Sequence, residues 1–145
     1  MNNHQKILHF IEKQKLAVLS TINEQSNPES AVIAFSETDE LELIFGTFQN
    51  TRKYHNLQSH PKVSLVIGWN DEEKITIQYE GIAQEINPEN VEQYRQIHLL
   101  KNPASKKYAF HPLQRFFKVK PVWVRYSNLS KDPEEIFELT PNNNL

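Results

Sequence analysis

The chain has 145 residues, with 16 Lys or Arg against 18 Asp or Glu, a net charge of −2, and no cysteine. The missing cysteine excludes a disulfide framework, a thiolate nucleophile, thiolate-bound zinc and cysteine-held iron–sulfur clusters, and the near-neutral charge supplies no global field for nucleic acid or an anionic membrane. The three glycines, Gly46, Gly68 and Gly81, are scattered, so neither a dinucleotide fingerprint nor a P-loop can form, and a phosphate site must use side chains and a helix end.

In chain order, residues 3–15 read as a helix capped by Asn2 or Asn3, with Ile7 and Ile11 on one face. Residues 16–23 and 30–36 are β-type runs separated by turn chemistry ending at Pro28. Residues 41–47 follow as a third strand. Residues 51–60 read as a short helix stopped by Pro61, and 63–69 as a strand with Val63, Leu65, Ile67 and Trp69 on one face. A long strand over 74–86 carries Gly81 as a bulge signal. Asn87-Pro88 opens a helix that runs to about 100, with Val91, Tyr94 and Ile97 inward. Residues 116–128 form the last strand, and 140–145 read as a frayed tail.

Short loops make the first three strands antiparallel neighbours. Six strands with few helices predict a mainly β fold, a closed or split antiparallel barrel with peripheral helices. Residues 1–145 read as one domain. The longest strictly apolar run, residues 31–35, is far short of a membrane span, and the N-terminus lacks a signal-peptide pattern, so the expected location is the cytoplasm.

Residues 46–53 leave a strand and enter a helix. Cations are electrostatically misplaced at a helix N-terminus, yet Arg52 and Lys53 stand in that first turn. An anion held by them, the free amides and the hydroxyls of Thr47 and Thr51 reverses the sign of the interaction. Other constellations carry less. The histidine pairs His4/His9 and His55/His60 are spaced by five, off one helix face, so the expectation is no metal site and surface or half-buried histidines. The acidic runs at 71–73 and 132–135 read as solvated turns. Residues 101–125 hold seven Lys or Arg and no acid, interleaved with Tyr108, Phe110, Phe116, Phe117 and Trp123. That pattern is the rival reading, a module binding single-stranded nucleic acid, although the pI of about 6.3 is low for one.

The stretch Thr51-Arg52-Lys53, Asn56-Leu57 and Pro61-Lys62-Val63-Ser64-Leu65 resembles the pyridoxamine 5′-phosphate oxidase-like family of FMN-binding split β-barrels. Leu19-Ser20-Thr21-Ile22 and the turn ending at Pro28 resemble its first hairpin, and Gly81-Ile82-Ala83 its Gly-x-Ala. The resemblance implies a six-stranded antiparallel split β-barrel that binds FMN between the two chains of a homodimer. It implies the phosphate on Arg52 and Lys53 with Thr47 and Thr51, and the backbone of Ala31, Val32, Ile33 and Ala34 along the ring. It also implies Thr76 facing the ring. Trp123 and Arg125 are the members of the basic stretch expected to reach such a cleft.

Where the vitamin B6 oxidases carry an Arg and a Lys in the second strand, this chain has Ala31 and Ser36, and no Arg-x-His motif follows His111. The expectation is therefore a flavin-dependent oxidoreductase of unidentified substrate that does not oxidise pyridoxamine phosphate, or a non-catalytic flavin-binding sensor or stress protein. Deazaflavin and haem stay open as cofactors. No residue stands out as a general acid or base.

Overall fold

In the computed structural model, which describes all 145 residues, Asn2 starts the first helix. Its Oδ1 accepts from the Gln5 amide (2.8 Å) while Gln5 Oε1 accepts from the Asn2 amide (2.9 Å). This reciprocal cap satisfies two end donors. Helix α1, Asn3–Glu12, then buries Ile7, Phe10 and Ile11. No helix of the protein is long and apolar enough to cross a membrane.

The strands are β1 (Leu16–Ile22), β2 (Pro28–Ala34), β3 (Ser36–Glu37), β4 (Leu43–Phe48), β5 (Lys62–Ile67), β6 (Ile75–Glu85), β7 (Gln114–Asn128) and β8 (Glu135–Leu139). Helix α2 (Arg52–Ser59) follows β4. Helix α3 (Val91–Lys101), a 3₁₀ turn (Pro103–Ser105) and α4 (Lys106–Ala109) link β6 to β7. All pairs are antiparallel, in the order β2-β1-β5-β6-β7-β4-β3, with β8 added to β7. Because β7 is long, its first half holds β4 and its second half holds β8. The sheet curls around a core that includes Leu19, Phe45, Ile67, Tyr79, Phe117 and Val124. It stays open between β2 and β4, which defines a split barrel.

Several expectations are corrected. The sheet has eight strands rather than six, because β3, of two residues, and β8, of five, gain their identity only from pairing. The strand expected at 41–47 does not neighbour β2. It lies at Leu43–Phe48 and pairs with β7, from Leu43 opposite Val119 to Phe48 opposite Gln114. A left-handed residue, Leu41 at φ 64°, turns the chain away just before it. Helix α3 starts at Val91 after a turn in which the Asn90 amide donates to the Asn87 carbonyl, so Asn87 is not its cap. Glu135 belongs to β8 and pairs with Lys6 (3.0 Å) and Lys131 (3.1 Å). The tail is tied down: Leu145 packs on the core, and the amides of Asn143 and Leu145 donate to the Thr140 carbonyl.

The bulge at Gly81 is present as a register shift between Glu80 and Gly81. A Cβ there would stand 2.6 Å from the Lys120 carbonyl oxygen, so backbone proximity demands glycine. Phe116 and Phe117 are both buried, on opposite faces of β7. Phe117 stacks on Phe45 with centroids 5.4 Å apart, while Phe116 joins Ile44, Ile86 and Ala109 beneath α3.

Candidate functional site

The opening between β2 and β4 is a cavity of about 330 Å³. Val32, Ile33 and Ala34 form one wall and Gly46, Thr47 and Phe48 the other. Thr51 and Lys53, at the start of α2, also line it, as does His98 of α3. Beyond them the wall is Ser105, Tyr108 and Gln114. A smaller cavity of about 180 Å³ adjoins it on the β1 side, lined by Thr21, Glu29, Ala31 and Arg52, with Lys53 common to both.

The start of α2 is built by Thr51. As N-cap, its Oγ1 accepts from the Tyr54 amide (3.3 Å) and donates to the Phe48 carbonyl (2.9 Å). Since that commits the Thr51 proton, Thr47 must donate across the 2.8 Å hydroxyl contact between them. Both hydroxyl protons serve the turn, and the Tyr54 amide serves the cap, which leaves the side chains and backbone amides of Arg52 and Lys53 as the free donors there.

Arg52 and Lys53 differ. Arg52 Nε lies 3.4 Å from Glu29 Oε1, and its side chain is 76% exposed. Glu29 is itself fixed, accepting from Asn56 Nδ2 (2.8 Å) and Asn23 Nδ2 (3.2 Å). Those bonds, with the Arg52 charge, hold its carboxyl below the usual range. Asn56 also donates to Thr21 Oγ1 (2.9 Å), linking α2 to β1. Lys53 makes no ion pair or hydrogen bond with the protein. Partial burial alone pushes its ammonium below its ordinary value.

His98 corrects the expectation of surface or half-buried histidines, since it is 3% exposed. Its Nδ1 lies 3.1 Å from Ser36 Oγ, and its ring meets the edge of Phe116. Burial, reinforced by the nearby Lys101 charge, pushes it down to about 4. The available signal was its spacing: His98 falls four residues after Tyr94 and seven after Val91, on the inward face. Asn56 and Glu29 were also missed as site residues, because their roles depend on a contact between α2 and β2.

Ala31, Val32, Ile33, Ala34, Thr47, Thr51, Arg52 and Lys53 therefore come together at the two cavities. Thr76, Trp123 and Arg125 do not. They lie on β6 and β7, opposite Ser127, Glu80 and Gln78, on the outer face of the sheet. Glu138 of β8 engages two of them, accepting from Trp123 Nε1 (3.1 Å) and Arg125 Nε (3.0 Å). The basic stretch is likewise dispersed, with Lys101 buried against Glu37 and Arg115 bonded to the Pro112 carbonyl.

A curled antiparallel sheet, open along one seam and carrying cations on the helix end at that seam, defines a split barrel with a cation-bearing cleft. The family model described as pyridoxamine 5′-phosphate oxidase matches residues 4–128, and the chain belongs to that family. The pyridoxine/pyridoxamine 5′-phosphate oxidase of Ehrlichia ruminantium is 28% identical over 92 residues, covering 63% of this chain and 47% of that protein. Across such curated relatives the chain spans less than half their length, down to 24% for the Enterobacter protein. Among solved structures, a heme binding protein from Mycobacterium smegmatis superposes with a TM-score of 0.84 at 13% identity, covering 99% of this chain and 60% of that one. A pyridoxamine 5′-phosphate oxidase-related, FMN binding protein from Nostoc punctiforme gives 0.70 at 13% identity, with 97% of each chain covered. These likenesses show the fold.

Proposed function

We propose that the protein binds FMN in the seam between β2 and β4, as a homodimer, and acts as a flavin-dependent oxidoreductase. One observation carries the reading: Lys53 is a partly desolvated ammonium at a helix N-terminus with no anionic partner in the chain. Both burial and the helix dipole oppose that charge, and a phosphate answers both. Arg52 offers its exposed guanidinium fork to the same group, while Glu29, itself fixed by Asn56, holds Arg52 beside β2. The apolar wall of Val32, Ile33 and Ala34 suits a planar ring.

When bound, the flavin supplies hydride or electron transfer. The chain's own residues anchor the phosphate, exclude water from one side of the ring and orient it along β2. The outer face of the sheet exposes Val32, Val66, Ile82 and Val122, the last two on the wall of a groove of about 610 Å³. A second copy docked there would bring its Thr76, Trp123 and Arg125 towards the seam, which is how those three residues enter the site in this reading.

The absorption spectrum of the purified protein, followed by titration with FMN, tests the proposal. Flavin bands, or saturable uptake of FMN by colourless protein, support it. A haem spectrum, or colourless protein that takes up no FMN, overturns it.

A further inference from the structure

Lys53 marks one end of the seam, and His98 marks the other. Ser36, which holds His98, faces Ile44 at the start of β4. Lys53 follows the end of the same strand. The four steps along β4 from Ile44 to Phe48 cover roughly 13 Å at about 3.3 Å each. Although His98 is 3% exposed, its Nε2 has no partner in the protein. No fully enclosed side-chain nitrogen or oxygen in the chain lacks one. Nε2 therefore keeps an opening, and His98 lines the seam cavity.

The two ends differ in charge. Lys53 is the one Lys or Arg on the wall of that cavity, and apart from Lys53 and the titratable His98 its lining side chains are uncharged. Lys101, next to His98 on α3, is closed off. Its ammonium bonds to the Glu37 carboxylate and the Ile11 carbonyl and lies 4.1 Å from the Phe35 ring centroid. An anion at this end would find no second Lys or Arg on the cavity wall. A neutral imidazole held at Nδ1 by a hydroxyl, which can donate or accept, presents either a donor or an acceptor at Nε2.

We infer that His98 recognises the uncharged, hydrogen-bonding end of the ligand whose phosphate sits at Lys53. The seam thus takes a molecule that is anionic at one end and a neutral heteroaromatic at the other, and holds no second phosphate. This inference rests on the flavin reading for the identity of the ligand.

Ring ¹⁵N spectra of the histidine-labelled full chain, titrated with FMN and separately with inorganic phosphate, test it. His98→Phe identifies the His98 signals by their loss. FMN should shift those signals, and inorganic phosphate should leave them in place. Removing one neutral hydrogen bond in His98→Phe should weaken FMN and riboflavin alike by about fivefold, and His98→Gln should recover most of the loss. If FMN binds while the His98 signals stay still, or if only FMN and not riboflavin is weakened, the inference falls and the flavin reading stands. If no FMN binds, both fall. The spectra of the unsubstituted protein decide the matter even if His98→Phe does not fold, because His98 is then the signal that His98→Gln removes.

Discussion

Lys53 and Arg52 are adjacent cations with unequal surroundings. Lys53→Ala removes a charge-assisted contact from a partly desolvated ammonium, and FMN affinity should fall roughly ten- to a hundredfold. Arg52 is largely exposed and already shares Glu29, so Arg52→Ala should stand at the lower end of that range. Riboflavin lacks the phosphate, and fluorescence titration should find its binding unchanged in both variants. Equal losses for the two flavins would move these residues from the phosphate to the ring. His98 gives a pH prediction. Its folded value of about 4 lies below the ordinary 6.5, so the unfolded chain binds the proton more readily between those values. Stability is complete above about 6.5 and is lost as pH falls towards 4, by about 3 kcal/mol. Urea unfolding at pH 7 and pH 4 should show that loss in the unsubstituted protein, and His98→Gln should lack this share of it.

At the scale of elements, the join between β5 and β6 is decided by Gly68. Its φ of +81° is a conformation that side chains rarely adopt, and a Cβ there would lie 2.5 Å from Phe10 Cζ and 2.9 Å from the Ile75 carbonyl oxygen. Gly68→Ala should therefore cost roughly 1–3 kcal/mol, read as a lower midpoint in denaturant. An unchanged midpoint would mean that α1, which carries Phe10, yields freely at this point. Helix α2 is tied from two sides. Thr51 caps it, and Asn56 reaches across to Thr21 and Glu29, so the helix end that carries the cations is held against the β1–β2 hairpin.

For the whole molecule, the outer face of the sheet exposes a set of apolar side chains. Val32 is 61% exposed and Ile82 and Val122 are each 42% exposed, a pattern that a second copy would bury. A stable dimer of this kind buries on the order of 2,000 Å² or more. Sedimentation at micromolar concentration should give twice the 17.0 kDa chain mass. Val122→Asp should shift the protein towards the monomer and weaken FMN binding together. A clean monomer that binds FMN with full affinity would remove the second chain from the site.

Local chemistry determined much of this protein on its own. Strands β5 and β6 announce themselves by alternation, β1 and β2 as β-type runs on either side of a turn, and α2 by a threonine before it and a proline after it. The cations at positions 52 and 53 stand out because they oppose a helix dipole, an argument that needs no tertiary contact. Tertiary structure decided what depends on distant partners. The pairing of β4 with β7 joins residues about seventy positions apart in the chain, and no local pattern specifies that choice. Strands β3 and β8 exist because a neighbouring edge accepts their hydrogen bonds. His98 looks like any histidine until Ser36, 62 residues away, takes its Nδ1, and Lys53 differs from Arg52 because the fold buries one in part and gives a carboxylate to the other. Periodicity and capping are encoded within a few residues, whereas burial and the choice of partner are properties of the closed sheet.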